Sequence, residues 1–142
     1  MSPRWEPNNE VRSGRHVICN LHVHLVFVTK FRRGVFTDAM LSRCEEVMRE
    51  VCTDFEAELR EFNGEDGHVH LLVHYPPKVA LSRLVNSLKG VSSRRLRQEY
   101  APHVRRYLWG GRFWSGSYFA ASCGGAPLTA VRQYIEQQQR PA

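Results

Sequence analysis

Apolar and polar positions divide the chain into strand-like and helix-like stretches. Asn20 to Thr29 is nearly continuous in Val, Leu and Phe, the pattern of a central strand buried on both faces. Thr37 reads as an N-cap ahead of Leu41, Cys44, Met48, Val51, Cys52 and Phe55. Their spacing predicts a helix over 38–54 with one apolar stripe. Phe55, Ala57 and Leu59 alternate with Glu56, Glu58 and Arg60, which predicts an outer, half-exposed strand. Asn63 to Gly67 is a turn, and His68 to Tyr75, closed by Pro76-Pro77, reads as a further strand. Side chains alternate across a strand, so Val69, Leu71, Val73 and Tyr75 share an apolar face while His68, His70, Leu72 and His74 share the other. Leu81, Leu84, Val85 and Leu88 form the stripe of a second helix, and Tyr118 to Ser122 reads as another strand. Gly124-Gly125 is a permissive joint, a candidate hinge, before a last helix that opens at Pro127 and ends near Gln139.

The order strand, helix, strand, strand, helix, strand, helix predicts an α+β, ferredoxin-like (RRM-like) antiparallel sheet. Helices cover one face, and an extra helix is added at the C-terminus. In this plan the first and third strands lie side by side at the centre, which puts the histidines mid-sheet. Residues 1–16, with Pro3, Pro7, Asn8, Asn9 and Gly14 and no periodicity, are expected to be a flexible extension before a single domain, 17–142.

Composition sharpens this picture. A chain of 142 residues, 42% of them hydrophobic, suffices for one domain with a core. The formal charge of +6 points to an anionic partner. Apart from Lys30, Lys78 and Lys89 the cations are arginines, whose planar fork suits phosphates and bases. Cys19, Cys44, Cys52 and Cys123 form no C-x-x-C pair, and three of them fall within apolar patterns, as reduced thiols of a cytoplasmic protein do. No signal peptide or run long enough to span a bilayer is evident, so no membrane partner is expected.

Two stretches of cations are candidate nucleic-acid contacts. Lys30, Arg32 and Arg33 end the first strand; Lys89, Ser92, Ser93, Arg94 and Arg95 crowd the far half of the second helix, where hydroxyls beside guanidinium groups suit phosphates. A solvated polar face is the competing reading of the helical set. In 101–117, Tyr107, Trp109, Phe113 and Trp114 lie among Arg105, Arg106 and Arg112; they either stack bases or pack onto the core.

The chemistry centres on His68 and His70. Imidazoles at i and i+2 of a strand can hold one cation and leave positions open for substrate oxygens, although paired strand histidines can also bind nothing. His22 and His24 repeat the spacing, but their face turns apolar at Val26 and Val28, so they read as packing or secondary groups. On the last helix Tyr134 and Gln138, four apart, share a face separate from the stripe Leu128, Val131 and Ile135. A phenol beside a metal-polarised phosphate is a competent nucleophile, and the Gln138 amide oxygen can be a third ligand.

Five segments, taken in order, resemble the single-tyrosine HUH transposases of the IS-two-hundred/IS-six-hundred-and-five insertion-sequence group. They are His24–Arg33, His68–Val73, Ser87–Ser93, Trp109–Phe119 and Tyr134–Gln138, and the likeness runs from about Asn20 to Gln138. The family pattern has an acid directly before the first histidine; this chain has Gly67, with Asp66 one position earlier. The resemblance implies cleavage and rejoining of single-stranded DNA at hairpin-bearing element ends. Tyr134 would form a 5′-phosphotyrosine, and His68, His70 and Gln138 would hold Mg²⁺ or Mn²⁺. It also implies a homodimer whose composite active sites take histidines from one chain and tyrosine from the other. No nucleotide cofactor is expected, since the covalent link conserves the phosphodiester and no G-x-x-x-x-G-K segment occurs. Two other readings remain: a domesticated HUH endonuclease that processes chromosomal repeat hairpins, and a non-catalytic module that binds single-stranded nucleic acid.

Overall fold

The apolar alternation becomes a four-stranded antiparallel sheet in the computed structural model, which describes residues 12–13, 18–19, 21–108, 110–122 and 128–138. In chain order a two-residue ladder pairs β1 (Arg12–Ser13) with β2 (Ile18–Cys19). Then come β3 (Leu21–Val28), a 3₁₀ turn (Lys30–Arg32), α1 (Asp38–Asp54), β4 (Glu58–Gly64) and β5 (His68–Tyr75). The chain continues through α2 (Leu81–Glu99), α3 (Ala101–Tyr107), β6 (Phe119–Ser122) and α4 (Leu128–Gln137). The main sheet has the order β4-β5-β3-β6, so the first and third long strands are central, as the ferredoxin-like plan requires. Gly124, Gly125, Cys123, Pro127, Trp109, Gln139 and the remainder of 1–16 lie outside the described residues.

One face of the sheet meets the helices. Val23, Leu25 and Phe27 of β3 and Val69, Leu71 and Val73 of β5 pack against α1 and α2. α1 contributes Met40, Cys44, Met48, Val51 and Cys52; α2 contributes Leu84, Val85, Leu88 and Leu96. The Thr37 hydroxyl accepts from Met40 N–H at 3.2 Å and caps α1 as the sequence predicts. Cys44 and Cys52 are buried free thiols. Burial pushes the Cys52 thiol up to about 12 and Cys44 higher still.

The strand expected from Phe55 begins later, at Glu58. The helix first closes through a left-handed residue, Glu56 (φ 60°), with Ala57 N–H donating back to the Cys52 carbonyl at 2.8 Å. The 101–117 stretch also differs from a pure loop. Ala101–Tyr107 is a short helix, and Phe113 and Trp114 are buried core residues rather than base-stacking ones. Trp114 packs against Phe27 and Phe36, and its indole N–H donates to Ser92 Oγ at 3.0 Å.

The second face is smaller and positions the site. Val26 and Val28 are completely buried there, covered by Ile135 of α4, with Phe119 and Tyr134 at the margin. β3 is thus apolar on both faces at its C-terminal half, the mark of a central strand. The register places Val26 opposite His70 and Val28 opposite His68. The histidines therefore stand beside the patch on which the last helix sits.

Candidate active site

His68 and His70 point to the α4 face because β5 alternates, and a register slip of one residue would send both into the core. Their rings are 5.0 Å apart in an edge-on arrangement. They line a cleft of about 440 Å³ with Arg32, Glu65, Arg132, Ile135 and Glu136. Burial pushes both imidazoles below the ordinary histidine range, His70 to about 4, with the neighbouring His68 and His24 adding to the effect. Neutral rings each carry an unprotonated nitrogen, which is what a metal ligand needs. Among the described residues no cluster of three or more His, Cys, Asp or Glu can hold an ion. Two imidazoles side by side are donors that a divalent cation with further oxygen ligands can use.

Arg32 reaches the cleft from a strained segment. Phe31 (φ 56°) and Arg32 (φ 55°) both adopt left-handed backbone, a costly conformation for such side chains. Hydrogen bonds hold it: Thr29 N–H donates to the Gly67 carbonyl at 3.0 Å, and Phe36 N–H to Asp66 at 3.0 Å. Gly67 permits this packing. A Cβ there would lie 3.1 Å from the Arg32 carbonyl oxygen and 3.2 Å from its Cγ.

α4 presents two faces in opposite directions. Arg132 and Glu136, four apart, line the histidine cleft. Tyr134 and Gln138, also four apart, turn to the segment before β6. There Tyr134 Oη lies 2.9 Å from Ser117 Oγ, and Ser115 Oγ donates to Gln138 Oε1. Tyr134 is partly buried against Phe119, and this burial raises its phenol above the ordinary range. The structure thus brings His68, His70 and Arg32 together and holds Tyr134 and Gln138 on a neighbouring seat outside the cleft. Arg132, Glu136 and Glu65 were not singled out in the sequence; the Arg132/Glu136 spacing is the signal that could have found the first two.

Among the expected DNA contacts, Ser92 is a correction. It is completely buried, its hydroxyl donates to the Leu88 carbonyl at 2.6 Å, and it accepts from Trp114. Lys89 is half-buried, and its ammonium donates to the carbonyls of Ser115 (2.8 Å) and Ser117 (3.3 Å). It still borders a shallow hollow with Asn86, Ser93 and Arg112. Arg94 is exposed and Arg95 half-buried. Lys30 and Arg33 line another hollow with Phe31, Tyr107 and Arg112. The two histidines of β3 differ: His22 packs edge-on against His74 at 4.2 Å, whereas His24 Nε2 lies 3.4 Å from His70 Nδ1.

The chain matches the family described as "Transposase IS200 like" over residues 17–138. It is 30% identical over 129 residues to the ISDra2 transposase TnpA of Deinococcus radiodurans, covering 91% of each chain. The transposase for insertion sequence element IS200 of Salmonella typhimurium is 27% identical over 127 residues, covering 89% of this chain and 82% of that one. A crystal structure of a transposase candidate from Deinococcus radiodurans R1 superposes with a TM-score of 0.82 at 30% identity, covering 92% of this chain and 99% of that one. The REP-associated tyrosine transposase bound to a REP hairpin shares the fold, with a TM-score of 0.54 at 10% identity over 88% of this chain and 68% of that one. Since the matched span takes in the histidine strand, the basic helix and the tyrosine helix, the chain belongs to the IS200-like transposase family.

Proposed function

We propose that this transposase cleaves and rejoins single-stranded DNA through Tyr134. The observation that carries the reading is the pair of imidazoles, His68 and His70, side by side in a cleft roofed by the helix that bears Tyr134. Tyr134 Oη gives up its proton to solvent as it attacks a backbone phosphorus, the P–O3′ bond breaks, and the departing oxygen takes a proton from water to become a free 3′-hydroxyl. The phosphotyrosine at the 5′ side keeps the phosphodiester's energy, so a second 3′-hydroxyl can reverse the step without a nucleotide cofactor. His68, His70 and the Gln138 amide oxygen would hold Mg²⁺ or Mn²⁺, which when bound polarises the phosphate and stabilises its developing charge. Arg32 at the rim supplies a fixed cation for a phosphate oxygen.

The observed seat of α4 sets a condition on this reading. Tyr134 lies two residues from Arg132 and Glu136, roughly 160° around the helix. Either α4 turns about its axis to bring Tyr134 and Gln138 over the histidines, or a second copy of the chain supplies them. The basic hollows around Lys30, Arg33, Lys89 and Arg112 suit the backbone of a hairpin-bearing strand. The test is incubation with labelled single-stranded element ends and Mn²⁺. A covalent protein–DNA band is expected, lost in Tyr134→Phe while DNA binding survives; a band that persists in the variant moves the nucleophile to another residue.

A further inference from the structure

His24 reads from the sequence as a packing or secondary group, but the fold gives it a different setting. His24 and His70 are diagonal neighbours across the central pair of strands, since His24 is opposite Leu72 and Val26 opposite His70. Their rings are 5.5 Å apart, with His24 Nε2 at 3.4 Å from His70 Nδ1. His70 therefore has one ring nitrogen committed to a neighbour within the sheet, which leaves Nε2 as its nitrogen for a ligand in the cleft.

A hydrogen bond between two imidazoles needs one N–H and one lone pair. If His24 donated, His70 would carry its own proton on Nε2 and have no lone pair for the cleft. If His24 accepts, His70 carries its proton on Nδ1 and Nε2 is free. We propose that His24 is a positioning residue that accepts a hydrogen bond from His70 Nδ1–H, and so holds His70 in the tautomer whose Nε2 lone pair is available. Metal-bound histidines generally have their other nitrogen fixed in this way, and loss of the outer partner typically weakens metal binding tenfold or more. The proposal rests on the reading of His68 and His70 as metal ligands. His22 is the internal control: it has the same strand, face and residue type, but its ring sits on His74 instead.

Two measurements on the folded, full-length chain separate the proposal from that reading. In the metal-free protein, ¹⁵N NMR reports which His70 nitrogen bears the proton. The expected result is Nδ1–H in the wild type and in His24→Gln, whose amide oxygen keeps an acceptor near the same place. His24→Phe keeps the ring but no acceptor and is expected to shift His70 towards Nε2–H. A wild-type His70 protonated on Nε2 overturns the proposal, as does a Phe variant with the wild-type tautomer. The second measurement is Mn²⁺ affinity by electron paramagnetic resonance. Affinity is expected to fall about tenfold or more in His24→Phe, to recover most of the loss in His24→Gln, and to stay unchanged in His22→Phe. Equal affinities in the Phe and Gln variants, or a His22→Phe loss as large as that of His24→Phe, reduce His24 to ring packing and overturn the proposal. A wild type with the expected tautomer that binds no Mn²⁺ sinks the metal-site reading, and with it the purpose assigned to His24.

Discussion

Tyr134 shows how local surroundings set what a residue can do. Its phenol is partly buried beside Phe119, so the neutral form is favoured and the folded-state pKa is raised. The hydrogen bond to Ser117 works against that shift without cancelling it. In this seat the phenol contacts Ser117 and Phe119 and does not line the histidine cleft. The sign of the stability effect follows from the raised value. The folded state keeps a proton that the unfolded chain releases from about pH 10 upward, so the contribution is fully present below that pH and is lost as pH rises through the folded value. Urea denaturation from pH 8 to 11 is therefore expected to show wild type losing more stability than Tyr134→Phe above about pH 10. Parallel curves across that range would place the phenol in water. None of this was legible in the sequence, where Tyr134 and Gln138 show only a shared helix face. Which way that face points depends on Ser115 and Ser117, far away in sequence.

At the scale of elements, α2 separates two kinds of polar residue that look alike in sequence. Ser92 and Arg94 are two positions apart in one cation-rich run, yet one is completely buried and the other exposed. The apolar stripe decides this: Leu88, Ser92 and Leu96 are four apart and face inward together. Ser92→Ala would leave the Trp114 indole N–H without its partner, a loss of about 1–3 kcal/mol. Chemical denaturation should show a lower midpoint at unchanged slope, with the salt dependence of DNA binding intact. Arg94→Ala is expected to do the reverse, lowering the logarithmic salt slope by roughly 0.7 to 0.9 at near-wild-type stability. An unchanged slope would return Arg94 to a solvated surface. α1 was readable to both ends because its cap and stripe are local signals. α3 was not, since seven residues give too little periodicity and the next stretch is bent into place by Phe36, Ser92 and Thr29.

The molecule as a whole raises the matter of where a complete active site comes from. The sheet order, the central histidine strand and the helical cover followed from alternation and element order, because each strand's pattern agrees with its place in the fold. The docking of α4 did not follow, since its narrow stripe fits any apolar patch of the right size. A ten-residue helix is marginal by itself and must dock somewhere. Here Ile135 uses Val26 and Val28 of its own chain. Chain mixing separates the two routes to a complete site, composite sites in a homodimer and a turn of α4 within one chain. Co-purified heterodimers of Tyr134→Phe and His68→Ala chains are expected to regain adduct formation at one of two sites. Heterodimers that stay inert would instead favour rotation of α4 within its own chain.

The two sealed thiols of α1 carry a practical consequence. Cys44 and Cys52 face the core eight residues apart, on the side of the helix that meets the sheet and α2. Burial disfavours the thiolate of both and shields them from reagents while α1 stays seated. In a chain with Cys19 and Cys123 replaced by Ser, alkylation of these sulfurs becomes a clock for detachment of the scaffold from beneath the chemistry. Both should label slowly and at one shared rate if α1 detaches as a unit. Rapid labelling of either sulfur in the folded chain would show that α1 opens independently of the sheet.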